Sequence, residues 1–128
     1  MEKLSIEGTP KTPTISFDFE KGQLEIKGRS IHENSIEFYK PLVDWLEKYA
    51  MKPQVKTNVN IQLEYFNTSS SKCILDVFKA LEGIHKKGKT EMVIHWYYEE
   101  DDEDMLEAGG DYQAIVTVPF EKLAIKEA

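Results

Sequence analysis

Between Val59 and Tyr98 the spacing of apolar residues changes period twice, and few folds accommodate such a pattern. Val59, Ile61, Leu63 and Tyr65 alternate with Asn60, Gln62 and Glu64, the period of a half-buried strand. Ile74, Leu75, Val77, Phe78, Leu81 and Ile84 then recur at helical spacing on one broad face. That helix closes with His85, Lys86 and Lys87 against the negative end of its dipole and with Gly88 at a C′ position. Glu91 to Tyr98 is apolar and aromatic throughout, which predicts a central strand covered on both faces. Strand, helix and strand in this order form a right-handed crossover joining two parallel strands.

The flanking segments extend the pattern. Thr14 to Phe19 and Gln23 to Lys27 alternate apolar and polar residues, and Lys21-Gly22 between them supplies the reversal of an antiparallel hairpin. Leu4 to Ile6 adds a short edge strand ahead of the Thr9-Pro10 and Thr12-Pro13 turns. Ile36, Tyr39, Leu42, Val43, Leu46 and Tyr49 fall at helical spacing, with Asn34 or Ser35 as the cap and Met51 to Pro53 as the stop. Pro41 interrupts this run. It lacks an amide donor and its ring crowds the preceding turn, so a short turn is predicted to restart there as the main helix. Asp101 to Ala108 reads as an acid-initiated helix ending near Gly109-Gly110, and either Ile115 to Val118 or Phe120 to Ile125 supplies a last strand or helix. The expected fold class is α/β, a mixed β-sheet with helices packed mainly on one face. With 128 residues, no internal repeat and no low-complexity linker, the whole chain (1–128) is expected to be one domain.

Charge and cysteine usage narrow the function. Sixteen basic against 23 acidic residues give a formal net charge of −7, which repels nucleic-acid phosphates and anionic membrane surfaces, so neither is an expected partner. Cys73 is the single cysteine, which excludes an intrachain disulfide and a multi-cysteine zinc site. The N-terminus lacks the basic stretch and apolar run of a secretory signal, and no segment reaches the ~20 apolar residues of a membrane span; a cytoplasmic location is expected. His32, His85 and His95 are not at metal-ligand spacing from one another or from Cys73. No P-loop, no glycine-serine-glycine elbow and no Cys/His pairing is present, so no catalysis, cofactor or metal is expected. The contiguous acids Glu99 to Asp104 place Leu106 where a calcium loop starting at Asp101 needs glycine. They read as a solvated acidic partner surface, part of it at the start of a helix. Trp96, Tyr97 and Tyr98 read as core and sheet surface, not as a stacking platform.

Asn67-Thr68-Ser69-Ser70-Ser71 is the most informative stretch. It lies beyond the carboxyl end of a strand and at a helix N-terminus, where unpaired amides and the positive dipole end favour an anion. One side chain satisfies a helix cap, whereas four consecutive hydroxyl residues exceed that need. A bound phosphate group and a phosphorylated side chain would use the same geometry, so a small-molecule or phosphometabolite sensor binding an anion at 67–71 stands as an alternative to a modified protein.

The string Leu63-Glu-Tyr-Phe-Asn-Thr-Ser-Ser-Ser-Lys72, with Phe17 to Phe19, Ile26 to Ser30 and Trp96 to Gly109, closely resembles the SiaC family of bacterial regulatory phosphoproteins, over about Leu4 to Phe120. The resemblance implies a fold similar to anti-sigma-factor antagonists (STAS-like) and a partner-switching role. A serine/threonine kinase would phosphorylate the threonine of the Asn-Thr-Ser-Ser-Ser motif, which is Thr68 here, and a PP2C-type phosphatase would reverse it. The unmodified form would bind and activate a diguanylate cyclase, which ties the switch to cyclic-di-GMP signalling and biofilm formation. Around Thr68, residues Tyr65, Asn67, Ser69, Ser70 and Ser71 are expected to carry the partner contacts.

Overall fold

The structure, a computed structural model, describes residues 2–126. In chain order the elements are β1 (Leu4–Ile6), β2 (Thr14–Asp18), β3 (Gln23–Ser30), α1 (Ser35–Tyr49), β4 (Lys56–Phe66), α2 (Thr68–Lys86), β5 (Glu91–Glu99), α3 (Glu103–Ile115) and β6 (Phe120–Ile125). The strands form one six-stranded sheet in sequential order, β1-β2-β3-β4-β5-β6. The pairs β1/β2 and β2/β3 are antiparallel, and β3 to β6 are parallel. The β2–β3 reversal needs its glycine. Gly22 sits at φ 63°, and a Cβ there would collide with the Lys56 carbonyl.

Three parallel crossovers in succession, all advancing across the sheet in the same direction, put their helices on one face. That face carries the core. Phe17, Leu24, Val59, Ile94 and Phe120 lie in one register row, and all are buried. Helix α1 brings Trp45 onto Phe17, with ring centroids 5.2 Å apart; α2 brings Phe78 and α3 brings Tyr112 onto Trp96, at 6.3 and 5.5 Å. The opposite face presents polar residues, among them Ser16, Glu25, Asn60, His95 and Glu121 across a single row. Here β5 differs from expectation. It is internal to the sheet but covered on one face, and Val93, His95 and Tyr97 on the other remain partly exposed. A second helical layer would require the strand order to reverse direction, as in doubly wound folds, and this order does not.

Four further details correct the reading of the sequence. First, α1 runs unbroken through Pro41, which lies on the exposed side of the helix. Ile36, which falls at the helical spacing of the apolar set, is 74% exposed in the first turn. Secondly, the alternation of β4 fails at its end. Gly28 pairs with Leu63 but Arg29 pairs with Tyr65, so Glu64 is an extra residue, a β-bulge that swings Tyr65 outward and Phe66 toward Trp96 and Tyr112. Thirdly, α3 continues past Gly109-Gly110 to Ile115. Gly109 is a packing position, since a Cβ there would come within 2.6 Å of Trp96 Cδ1. Lastly, the alternative for the chain's end resolves as a strand at Phe120–Ile125.

Candidate functional site

Ser30, the last residue of β3, pairs with Phe66, the last of β4. The chain leaves both strands at the same edge, so α1 and α2 begin side by side. Each is capped by asparagine: Asn34 Oδ1 accepts from the Glu37 amide at 3.3 Å and Asn67 Oδ1 from the Ser70 amide at 3.0 Å. The two first turns are joined directly by Ser35 Oγ and Ser69 Oγ, 2.6 Å apart. The Asn67 amide donates to the Ser30 carbonyl at 3.0 Å and its Nδ2 to the His32 carbonyl at 2.9 Å, which holds the α2 cap against the β3–α1 connection.

This frame sorts four consecutive hydroxyl groups. Ser70 is fully buried; its Oγ donates to the Ser30 carbonyl at 3.0 Å and accepts from Ser30 Oγ at 2.8 Å. Ser69 is exposed, but its hydroxyl is engaged by Ser35 and by the His32 carbonyl at 3.2 Å. Ser71 turns back on its own helix, donating to the Thr68 carbonyl at 2.7 Å, while its carbonyl accepts from Tyr112 Oη at 2.9 Å and ties α2 to α3. Thr68, the first residue of α2, is exposed, and its hydroxyl has no hydrogen-bond partner among the described residues. Tyr65, turned out by the bulge, is 50% exposed on the strand that leads to it. Of the expected partner-contact residues, Tyr65 and Ser69 therefore reach the surface, Asn67 and Ser71 are half-buried, and Ser70 stands behind the surface as support.

Behind these residues lies a polar cluster that the motif did not disclose. Ser30 Oγ is 2.7 Å from Tyr39 Oη and 3.1 Å from His32 Nδ1. Burial pushes the Tyr39 phenol up to about 12, against the opposing pull of its Ser30 hydrogen bond. It also holds His32 below the ordinary histidine value. The imidazole packs on Phe38 at 4.2 Å between centroids, and its Nε2 is buried without a partner among the described residues. One signal of this cluster was present in the sequence. Leu24, Ile26, Gly28 and Ser30 share the inward face of β3, and a serine at an inward position implies a buried polar partner.

The acidic run does not gather a metal site: no group of three His, Cys, Asp or Glu side chains is placed to hold one among the described residues. Asp102 caps α3 by accepting from the Met105 amide at 3.0 Å, and Glu103 and Asp104 fill the first turn, where the dipole favours negative charge. Among the described residues no helix is long and apolar enough to cross a membrane.

What this arrangement offers is an accessible hydroxyl on a rigid mount, at the N-terminus of a 19-residue helix. The profile of the SiaC family regulatory phosphoproteins matches residues 6–125. An uncharacterized protein of Pseudomonas aeruginosa strain UCBPP-PA14 is 32% identical over 120 residues, covering 94% of each chain. Crystalline apo-SiaC from Pseudomonas aeruginosa superposes with a TM-score of 0.87 at 32% identity, over 97% of this chain and 100% of that one. SiaC bound to the diguanylate cyclase SiaD, which it activates, superposes with a TM-score of 0.88 at 32% identity, over 95% and 99% of the two chains. This chain belongs to the SiaC family of regulatory phosphoproteins.

Proposed function

We propose that residues 1–128 act as one cytoplasmic regulatory domain in a partner-switching system, gated at Thr68. The unmodified form binds a diguanylate cyclase and activates it. A serine/threonine kinase closes the interaction by phosphorylating Thr68, and a PP2C-type phosphatase restores it. As a family regulator the chain is not an enzyme; its output is the occupancy of its partner.

The observation that carries this reading is the sorting of the hydroxyls: Thr68 is exposed and unengaged, while Ser69, Ser70 and Ser71 are committed to the frame. Phosphorylation adds about −1.5 to −2 charges and three acceptor oxygens. At a helix N-terminus that charge is stabilised by about 0.3–1 kcal/mol, so the fold survives it. A partner docked over Thr68 through Tyr65 and Ser69 meets the same dianion as a group to be desolvated, at several kcal/mol if unpaired. A loss of about 2.7 kcal/mol weakens association about a hundredfold. The free-anion alternative gains less from the geometry, because Asn67 already satisfies the amides of Ser70 and Ser71 inside the chain.

The test is calorimetric titration of a SiaD-type cyclase with three forms: unmodified protein, Thr68→Ala, and protein carrying phosphothreonine at 68. Binding of the first two and about hundredfold weaker binding of the third is expected. Equal affinity of the unmodified and phosphorylated forms would refute the gate.

A further inference from the structure

The bulge that turns Tyr65 outward also opens a groove on the helix-free face of the sheet, about 380 Å³ in volume, at the carboxyl ends of β3 to β6. Its lining includes Arg29, Tyr65, Tyr97, Tyr98 and Ile125. Arg29 is the only arginine in the chain, and it lies opposite Tyr65 in the β3–β4 register. Tyrosine and arginine are the side chains that most often anchor protein interfaces, because each combines a large apolar body with a polar tip.

The rim of this groove is acidic. Glu64, Glu99 and Asp102 border it, and the last two are shared with an adjoining concavity lined by Asp101, Glu103 and Asp104. Among the described residues, Lys40 pairs with Asp44 and Lys86 with Glu82, and His95 Nε2 lies 3.6 Å from Glu121 Oε2. Glu64, Asp101, Glu103 and Asp104 take no part in these contacts.

We propose that this groove docks a basic amphipathic segment of a partner protein, with its apolar side chains on Tyr65, Tyr97 and Ile125 and its lysines and arginines on the Glu99–Asp104 rim. Charge complementarity selects this occupant. A second copy of the chain would bring another −7 charges and the same acidic rim, while nucleic acid and anionic lipid are repelled by it. The side chains of Tyr65, Tyr97 and Ile125, set among the polar Gln62 and Arg29, supply the reason for an amphipathic segment as opposed to a simple polycation.

The groove shares Tyr65 with the surface proposed for the cyclase, but the proposal does not rest on that reading, and its test uses neither Thr68 nor the cyclase. Unmodified protein, labelled with ¹⁵N, is titrated with a synthetic leucine-lysine peptide of about 18 residues, patterned with the period of an amphipathic helix. Two controls are its scrambled isomer and a leucine-glutamate analogue. Amide shifts confined to Arg29, Tyr65, Tyr97–Asp104 and Ile125 are expected for the patterned basic peptide, with affinity falling as salt rises from about 50 to about 300 mM. Tyr97→Ala should weaken binding about fivefold or more. Asp101→Lys combined with Asp104→Lys, both at exposed positions, should transfer preference to the leucine-glutamate peptide. Shifts spread over the surface, equal binding of the scrambled peptide, or an unchanged preference in the charge-reversed protein would overturn the proposal.

Discussion

Thr68 and Ser70 stand two residues apart at the start of one helix and meet opposite surroundings. Ser70 is enclosed by Ser30, His32 and Ser35, with hydroxyl and carbonyl partners that have no access to water once its oxygen is gone. Removing one member of such a network leaves its buried neighbours unsatisfied, at about 1–3 kcal/mol. Ser70→Ala is therefore expected to lower the stability measured by urea denaturation by that amount. Thr68→Ala removes a solvated hydroxyl and should stay within about 0.5 kcal/mol of the wild type. The two substitutions separate the switch from its mount. Loss of partner binding in Ser70→Ala would accompany lost stability, whereas an effect of modification at Thr68 would not.

At the scale of elements, α3 shows how a helix can pass through two glycines. The Trp96 indole lies under Gly109 and donates from Nε1 to the Met105 carbonyl at 3.0 Å, so helix and strand approach more closely than any side chain at 109 would allow. Gly110 has only Lys122 Nζ near its missing Cβ, at 3.7 Å. Thermal denaturation should distinguish them. Gly109→Ala forces the indole aside and is expected to destabilise by about 1–3 kcal/mol. Gly110→Ala gains helix propensity at no steric expense and should stabilise by about 0.5–1 kcal/mol. The two glycines were read in the sequence as a helix stop because a Gly-Gly pair is locally a breaker; the packing that overrides this comes from β5, thirteen residues upstream of Gly109. Pro41 is the same lesson on α1. Its local penalty predicted a break, but Tyr39, Leu42, Trp45, Leu46 and Tyr49 bury a continuous stripe on both sides of it, and that burial outweighs one missing hydrogen bond.

For the molecule as a whole, the cluster under the two helix N-termini makes stability depend on pH. Burial holds His32 below 6.5, so the folded state keeps its imidazole neutral while the unfolded chain takes up a proton near 6.5. In that window the unfolded state binds more protons, and stability rises with pH. The contribution is present in full above 6.5 and is lost as the pH falls through the lower folded value. Melting temperatures followed from about pH 7.5 down to about pH 5 should fall in wild type, and less steeply in His32→Gln. An identical slope in the variant would assign the effect elsewhere.

Element type and order up to α3 were legible from the chain alone, as was the placing of Thr68 at the start of a helix, because hydrophobic period and capping are interactions between residues about two to four apart. Which of four hydroxyls faces solvent was not legible. Ser70 is buried by Ser30, forty residues away, and Ser69 is engaged by Ser35, thirty-four away. The same holds for the bulge that exposes Tyr65, for the glycine under which Trp96 fits, and for the bare face of β5. Each is set by what the neighbouring strand or helix brings into contact, and contacts between residues distant in sequence exist only once the chain has folded.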